Sequence, residues 1–201
     1  MQVGKGSGVH EVLIKASADA EHETTDDLLA AFKGEITASA KYAAWSKKAE
    51  QDGFHQIAVL FKAVSAAENI HAGNHKTILE EAGIKPLLLN PQFTVKSTKE
   101  NLQDAIKGEI YESTIMYPEF IKDAGSSGIR IALLSLTYAY ETEKKHRVMF
   151  ENALAALENN TVKSLSSEYF VCPTCGNTYD SYTAKRCSIC IANSKMFIKI
   201  K

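Results

Sequence analysis

Each half of the chain carries the same set of acidic and imidazole side chains in the same order. A glutamate that follows a glycine comes first, a Glu-x-x-His pair comes later, and the two copies lie 74 or 75 positions apart. Two helical hairpins related by a pseudo-twofold axis would bring all six groups to a common centre. The groups are Glu35, Glu68 and His71 in the first half and Glu109, Glu143 and His146 in the second.

Four segments with the apolar spacing of amphipathic helices contain these groups. The segments end at turn signals, among them Gly53, Gly83 and the Gly-Ser-Ser-Gly stretch at 125–128, and Ser97 with Glu100 predicts a capping box before the third helix. Two connections are short, whereas the middle one has about fifteen residues and can cross the length of a bundle. The pattern predicts an all-α four-helix bundle with ferritin-like connectivity. The predicted helices are 25–52, 54–82, 98–124 and 129–158.

Two segments of different character flank the helical region. The first residues contain three closely spaced glycines and no sustained period, so we expect an irregular N-terminal extension of unknown role. After residue 160 the helical period ends, and a serine-rich linker leads into a β-prone, cysteine-bearing segment. The predicted domains are an extension at 1–24, the bundle at 25–160 and a small β-rich four-cysteine domain at 168–201.

The repeated acidic groups interrupt otherwise apolar helix faces. Glu68 and His71 continue the stripe of Ile57, Leu60 and Val64, and the second Glu-x-x-His pair continues a matching stripe. Burying even one unpaired carboxylate costs on the order of several kcal/mol, so cations must neutralise this many of them. The ligand set is that of di-iron and di-manganese carboxylate bundles. A single Glu-x-x-His is more often an exposed helix face, but two correctly spaced copies favour a di-metal site.

All four cysteines lie within 19 residues near the C-terminal end and form two Cys-x-x-Cys pairs. Pairs with this spacing are typical of a tetrahedral metal site, and disulfides are the weaker alternative. Thiolate ligands suit iron and zinc alike, so the residues themselves leave the metal open between the two. The cysteines are Cys172, Cys175, Cys187 and Cys190.

A fifth carboxylate breaks the symmetry of the repeat. Glu112 lies one helical turn after Glu109, on nearly the same face, whereas the first half has Ala38 at the matching position. Without a metal ligand at Glu109, Glu112 would be read as an exposed charge on a helix. The motifs around it, GEIYE at 108–112 and MYP at 116–118, together with DGF at 52–54, resemble the rubrerythrin family. The resemblance covers nearly all of the chain after residue 24.

The resemblance implies a ligand role for each repeated side chain. In the family, the residues that match Glu68 and Glu143 bridge two irons. The residues that match Glu35 and Glu109 are terminal ligands, and the one that matches His146 completes the coordination of one iron.

The resemblance also implies which residues take part in catalysis. The second iron exchanges ligands, being held by the residue that matches His71 when reduced and by the one that matches Glu112 when oxidised. Tyr42 and Tyr117 match tyrosines near the metals, although core packing explains either tyrosine about as well. His75, one turn beyond His71, is expected to face solvent or a neighbouring helix and not the metal.

The implied protein is a peroxidase that acts against oxidative stress. It would hold two non-haem irons in the bundle and one iron on the four cysteines of a rubredoxin-like domain, and would reduce hydrogen peroxide to water. Electrons would come from an external donor such as a rubredoxin or an NAD(P)H-dependent reductase, since no Gly-rich phosphate loop is found. In the family, the cysteine iron of one subunit usually serves the di-iron site of another in a head-to-tail dimer, so a homo-oligomer follows from the resemblance alone. The alternative function is a ferroxidase or iron-handling bundle with a zinc-bound four-cysteine module.

Composition excludes other classes of function. A net charge of -1 predicts neither nucleic-acid nor membrane affinity, and no apolar run is long enough for a membrane span or a secretory signal. A cytoplasmic protein is therefore expected. His10, His22 and His55 have no partner motif in the sequence and are given no role.

Overall fold

The computed structural model describes residues 7–87, 89–182 and 185–201, with side chains from residue 18 onward. It contains a four-helix bundle followed by a small antiparallel sheet, which confirms the predicted fold class. A π-helical turn, Glu112–Met116, joins α3 to α4, so that these two helices make one rod of the bundle. The helices are α1 (Ser7–Gln51), α2 (His55–Glu81), α3 (Thr98–Tyr111), α4 (Tyr117–Ser127) and α5 (Arg130–Glu158).

The N-terminal prediction was wrong, because α1 begins at Ser7 and not near Thr25. The segment from residue 10 to 23 is rich in Ala and Glu, which are good helix formers. Residues 18–23 are largely exposed, so this part of the helix needs no apolar stripe and shows no period. Residues 1–6 of the predicted extension lie outside the described residues.

The core of the bundle consists of two apolar clusters, one on either side of the acidic groups. One cluster contains Trp45, Phe61 and Phe150, and the other contains Leu79 and Leu136. Along each of the four rods, the repeated glutamate lies where one cluster ends and the other begins. The apolar clusters therefore hold the acidic groups in the middle of the bundle, away from water at both ends.

The predicted turn and cap signals between helices are present. Ser97 Oγ accepts a hydrogen bond from the Glu100 amide at the start of α3, and the Glu100 side chain accepts from Ser97, which forms the predicted capping box. Gly53, Gly83 and Gly128 adopt positive φ at the ends of their helices, where a side chain would be strained.

The π turn accommodates one extra residue in the second half of the chain. Glu35 and Glu109 are 74 positions apart, and Tyr42 and Tyr117, after the turn, are 75 apart. A π turn holds one residue more than the α-helical path it replaces, and such insertions are frequent at functional sites. Glu112 is the first residue of this turn.

The C-terminal residues form a cysteine module (residues 168–201) that packs on the bundle. Its sheet has the order β2-β1-β3, and the central strand contributes Tyr169 and Val171 to the same apolar cluster as Phe61 of α2. The strands are β1 (Tyr169–Val171), β2 (Thr178–Tyr179) and β3 (Ile198–Ile200). Within the described part of the chain, no helix combines the length and apolar character that crossing a membrane requires.

Asp27 on α1 lies beside other carboxylates and is expected to destabilise the fold at neutral pH. Burial and neighbouring negative charges raise the pKa of Asp27 to about 6, and its Oδ2 finds no hydrogen-bond partner among the described residues. Because the folded state holds this proton more tightly than the unfolded chain, its contribution to stability falls as pH rises from about 4 through 6. The neighbours are Asp123, Glu23, Glu119 and Asp26.

Asp27→Asn should therefore raise the free energy of unfolding at pH 7 by about 1 kcal/mol, a modest value because solvent screens this carboxylate. The measurement is urea denaturation of both proteins at pH 7 and pH 5. The gain should shrink at pH 5, where the wild-type carboxyl is already largely protonated. An equal gain at both pH values would contradict the electrostatic explanation.

Candidate metal centres

The six repeated side chains converge at the centre of the bundle in two overlapping groups. In each group, four ligand atoms lie within 4.8 Å of one another, and all six residues are at most 1% exposed. Glu68 and Glu143 belong to both groups, whereas the other four residues belong to one each. The groups are Glu35, Glu68, His71 and Glu143, and Glu68, Glu109, Glu143 and His146.

The polar atoms at this centre have unmet bonding capacity. Six buried atoms there have no hydrogen-bond partner outside the centre. Four of them are near only one another or His146: His71 Nδ1 is 2.9 Å from both Glu68 Oε2 and Glu143 Oε1, and Glu68 Oε1 is 3.2 Å from His146 Nδ1. Buried polar atoms almost always have partners of their own, so this many ligand atoms facing one another indicate a missing partner. Oxygen and imidazole donors in this number fit two iron or manganese ions. The atoms are Glu35 Oε2, Glu68 Oε1 and Oε2, His71 Nδ1, Glu109 Oε2 and Glu143 Oε1.

The pKa values of the buried groups also indicate that the centre needs positive charge. Burial, followed by the charges of Glu68 and Glu143, raises the pKa of Glu35 well above its usual range, and the pKa of Glu109 is raised by the same causes. Burial opposes the charged form of His146, but Glu68 and Glu143 raise its pKa to about 9. Metal ions would replace these protons, so loading should release protons.

The cysteine module orients both histidines of the centre. His71 Nε2 lies 3.1 Å from the carbonyl oxygen of Cys175, which can only accept, so Nε2 donates and the ring presents Nδ1 to the carboxylates. His146 Nε2 lies 3.0 Å from Thr178 Oγ1, whose own hydroxyl donates to the Gly176 carbonyl. Both rings thus present Nδ1 to the centre, where it can bind a metal once its proton is released.

Each predicted catalytic tyrosine donates a hydrogen bond to a glutamate of the centre. Tyr42 Oη is 2.6 Å from Glu109 Oε1, and Tyr117 donates to Glu35 Oε1. Both rings are buried, and burial together with the neighbouring carboxylates raises the pKa of both phenols well above its usual range. The tyrosines therefore remain protonated donors that hold the two single glutamates in place.

Glu112 lies beside the centre but in neither ligand group. It is half-buried at the start of the π turn, and burial, followed by the charges of Glu143 and Glu68, raises its pKa well above its usual range. His71 instead completes the group around Glu35. This arrangement corresponds to the one expected when His71, and not Glu112, is the ligand, and the exchange itself stays a prediction.

The remaining histidines divide into one buried residue and two exposed ones. His75 does not face solvent: it is fully buried between helices and bonds to Tyr117 and Ser135. His22 and His55 are exposed and pair with carboxylates of α1. The side chain of His10 lies outside the described residues.

The four cysteines form a second candidate centre in the cysteine module. Their sulfurs lie within 4.8 Å of one another, and two of the pairs, Cys172 with Cys190 and Cys175 with Cys187, are 3.5 Å apart. This separation is far too long for a disulfide but near the edge of about 3.8 Å that a tetrahedron of thiolates around a metal at about 2.3 Å would have. Asn177 donates to the Cys187 sulfur at 3.4 Å, so the protein also provides a hydrogen bond to this ligand.

The two Cys-x-x-Cys turns have the same backbone form despite different sequences. The residue after each pair, Gly176 or Ile191, adopts positive φ and bonds back to the carbonyl of the first cysteine. A β-branched residue has a strained backbone in this region of φ and glycine does not, so Ile191 closes the second turn in a strained conformation. Gly176 is also needed for space, because a Cβ there would overlap the His71 ring.

The two centres are therefore in direct contact within one chain. The Cys175 carbonyl bonds to His71 and also accepts from Thr142 at 3.2 Å. Lys145 of α5 reaches Asn177 at 2.9 Å. The contact leaves no gap for water between the thiolate centre and the imidazole of the bundle centre.

A ferritin-like bundle with a buried Glu/His centre for two metals and an attached four-thiolate centre defines a di-metal carboxylate protein with an appended one-metal module. The family model for rubrerythrin matches residues 26–154, and the chain belongs to the rubrerythrin family. It is 33% identical over 168 residues to Rubrerythrin-2 of Clostridium acetobutylicum (83% of this chain, 91% of the relative). It is 35% identical over 188 residues to nigerythrin of Nitratidesulfovibrio vulgaris (92% of this chain, 90% of the relative).

Solved structures agree with this assignment. The fully reduced, all-ferrous state of nigerythrin has a TM-score of 0.79 at 32% identity, covering 88% of this chain and 86% of that one. A Rhodobacter capsulatus bacterioferritin has a TM-score of 0.62 at 20% identity, covering 69% of this chain and 87% of that one, a likeness of fold alone.

Proposed function

We propose that the protein is a non-haem di-iron peroxidase that reduces hydrogen peroxide to water with electrons delivered through an iron on the four cysteines. The single observation that carries this proposal is the hydrogen bond between the Cys175 carbonyl and His71 Nε2, which links a ligand residue of one centre to a ligand residue of the other. An iron-storage bundle would have no need of such a link. The iron-bound state of nigerythrin, a relative at 32% identity, supports iron as the metal.

The protein's own residues would bind and position the irons. Glu68 and Glu143 lie in both ligand groups and are suited to bridge two ions. The Tyr42 and Tyr117 hydroxyls hold Glu109 and Glu35 in place, so these two carboxylates would be fixed in position to bind the irons. The bound iron pair would supply the two electrons that peroxide takes up.

The external one-electron donor would bind the cysteine module. Cys190 is the least buried of the four cysteines, and exposed Ile191 follows it directly. A rubredoxin or an NAD(P)H-dependent reductase would approach this edge. The head-to-tail dimer and the cytoplasmic location stay predictions.

Visible spectroscopy of the iron-loaded protein tests the proposal. We expect a red thiolate-to-iron absorption that is bleached by a reductant and restored by hydrogen peroxide. A colourless module that contains zinc would contradict the proposal and favour the iron-handling alternative.

Glu112→Ala should slow peroxide reduction by about tenfold or more while two metals remain bound in the bundle, because Glu112 lies outside both ligand groups. The measurements are steady-state peroxide consumption and metal analysis of the same sample. Glu119→Ala, an acidic residue at the start of α4, is the matched control and should leave both values unchanged. Loss of both bundle metals from the Glu112 variant would contradict a role confined to ligand exchange.

A further inference from the structure

A chain of buried hydrogen bonds connects the metal centre to the surface through residues outside the ligand set. Ser135 Oγ is 2.9 Å from His75 Nδ1, His75 Nε2 is 3.2 Å from Tyr117 Oη, and Tyr117 donates to Glu35 Oε1. His75 and Tyr117 are fully buried, and Ser135 is 6% exposed. The chain crosses from α5 through α2 to α4 and ends on α1.

The donors of this chain all point in one direction. Because the Tyr117 hydroxyl gives its hydrogen to Glu35, its oxygen can only accept from His75 Nε2. The neutral imidazole then has a bare Nδ1, which accepts from the Ser135 hydroxyl. Every hydrogen therefore faces the metal centre, and the Ser135 oxygen is left free to accept one more.

The outer end of the chain opens into a surface pocket. A cavity of about 230 Å³ lies between α2, α5 and the cysteine module, and Ser135 forms part of its wall with Asn74 and Thr174. The cavity has room for several water molecules and polar groups to hold them. Water in this cavity can donate to the Ser135 oxygen.

The second half of the bundle has no such connection, which argues that the chain is not a by-product of packing. The position that repeats His75 is Phe150, and it packs against Tyr42 with ring centroids 5.2 Å apart. Tyr42 bonds to Glu109 as Tyr117 bonds to Glu35, but an apolar ring stands where the imidazole would continue the path. One tyrosine thus has a polar link to the surface cavity, and the other does not.

We propose that Ser135, His75 and Tyr117 form a path that delivers protons from the surface cavity to Glu35 at the metal centre. The proposal rests on the proposed function: reduction of one hydrogen peroxide breaks the O–O bond, takes two electrons from the external donor and two protons, and forms two waters. Each proton enters at Ser135 as another leaves Tyr117 for Glu35, which passes it to the departing oxygen. Rotation of the two hydroxyls and exchange of the imidazole tautomer then reset the path.

The environment of His75 suits a residue that passes protons without holding charge. Burial, followed by the neighbouring His71, lowers the pKa of His75 to about 3. The ring therefore stays neutral at physiological pH and keeps one donor and one acceptor nitrogen. A charged imidazolium would have two donors and would block the path.

The first test is the tautomer of His75 in the full-length protein loaded with diamagnetic zinc. Nitrogen-15 NMR should show a neutral ring with the proton on Nε2 between pH 6 and 8, and the signals are assigned by their loss in His75→Phe. A proton on Nδ1 would reverse the direction of the chain and overturn the proposal. This measurement does not depend on peroxidase activity.

The second test is the rate at which peroxide oxidises the pre-reduced iron protein, measured in H2O and D2O. Ser135→Ala and His75→Phe should slow this step by about tenfold or more and increase its solvent isotope effect. Ser135→Thr keeps the hydroxyl and should restore the rate to within about twofold of wild type, which loss of packing alone would not explain. The phenylalanine variant copies the arrangement already present at Phe150, so it is expected to fold.

The outcomes separate the path from the proposed function. Wild-type rates and isotope effects in both Ser135→Ala and His75→Phe would overturn the proton path and leave the peroxidase intact. A wild-type protein that does not react with peroxide would instead refute the proposed function, while the tautomer would still test the direction of the chain.

Discussion

Glu143→Ala is expected to remove both metal ions from the bundle and to abolish peroxide reduction. Glu143 lies in both ligand groups, is fully buried, and has a pKa of about 2 because the charges and hydrogen bonds of His71 and His146 outweigh its burial. Without this shared carboxylate, each group keeps three of its four donors. Metal analysis should fall from three ions per chain to one, the ion held by the cysteines.

Glu35→Ala is the matched control for this prediction, because Glu35 lies in one group only. It should lose about one ion per chain, because three of the four donors remain in its own group and all four remain in the other. Each bundle ion at a thousandfold excess over its Kd should also stabilise the wild-type protein by about 4 kcal/mol, a gain that Glu143→Ala should lack. Equal metal content in Glu143→Ala and Glu35→Ala would contradict a shared, bridging position for Glu143.

The convergence of the acidic groups could be predicted because helix periodicity and charge act together. A glutamate on an apolar helix face is costly, and the same exception occurs in both halves at nearly the same spacing. The structure brings six of the seven predicted ligands into two groups and leaves Glu112 beside them. Their role as ligands of iron stays a prediction until metals are measured.

The spacing of apolar residues predicts neither the start of α1 nor the π turn. Residues 18–23 are mostly exposed and carry no stripe, although their intrinsic helix propensity was visible in the sequence. The change of offset from 74 to 75 between Glu109 and Tyr117 was also visible, and it is the trace of the inserted residue in the π turn. The offset between matching residues of the two halves therefore locates the insertion, whereas the spacing of apolar residues does not.

The contacts of the cysteine module and of His75 depend on tertiary structure. The Cys175 carbonyl orients His71 from 104 positions away in the sequence. The Thr178 hydroxyl orients His146 from 32 positions away. Backbone carbonyls carry no sequence signal at all. His75 was expected at a surface or helix contact, and only the packing of α5 shows that it joins Ser135 to Tyr117.

Cys187→Ser should abolish steady-state turnover while sparing a single turnover of the bundle. Cys187 is a buried member of the four-sulfur group and lies 3.5 Å from Cys175, so its loss opens the thiolate centre. Turnover with an external donor should fall by about a hundredfold or more, but chemically pre-reduced bundle irons should still react with peroxide at close to the wild-type rate. Unaltered steady-state turnover would refute the electron path through the cysteine module.

Whether this path lies within one chain or between two can be decided by combining Cys187→Ser with Glu143→Ala. The first variant keeps the bundle centre and the second keeps the thiolate centre, so a complex with one copy of each has one intact centre of each kind on different chains. The bond from Cys175 to His71 joins the two centres of the same chain. We therefore expect that doubly tagged complexes from co-expression will show no steady-state peroxidase activity. Activity near half that of wild type would instead show that the thiolate centre of one subunit serves the bundle of another, as in the predicted head-to-tail dimer.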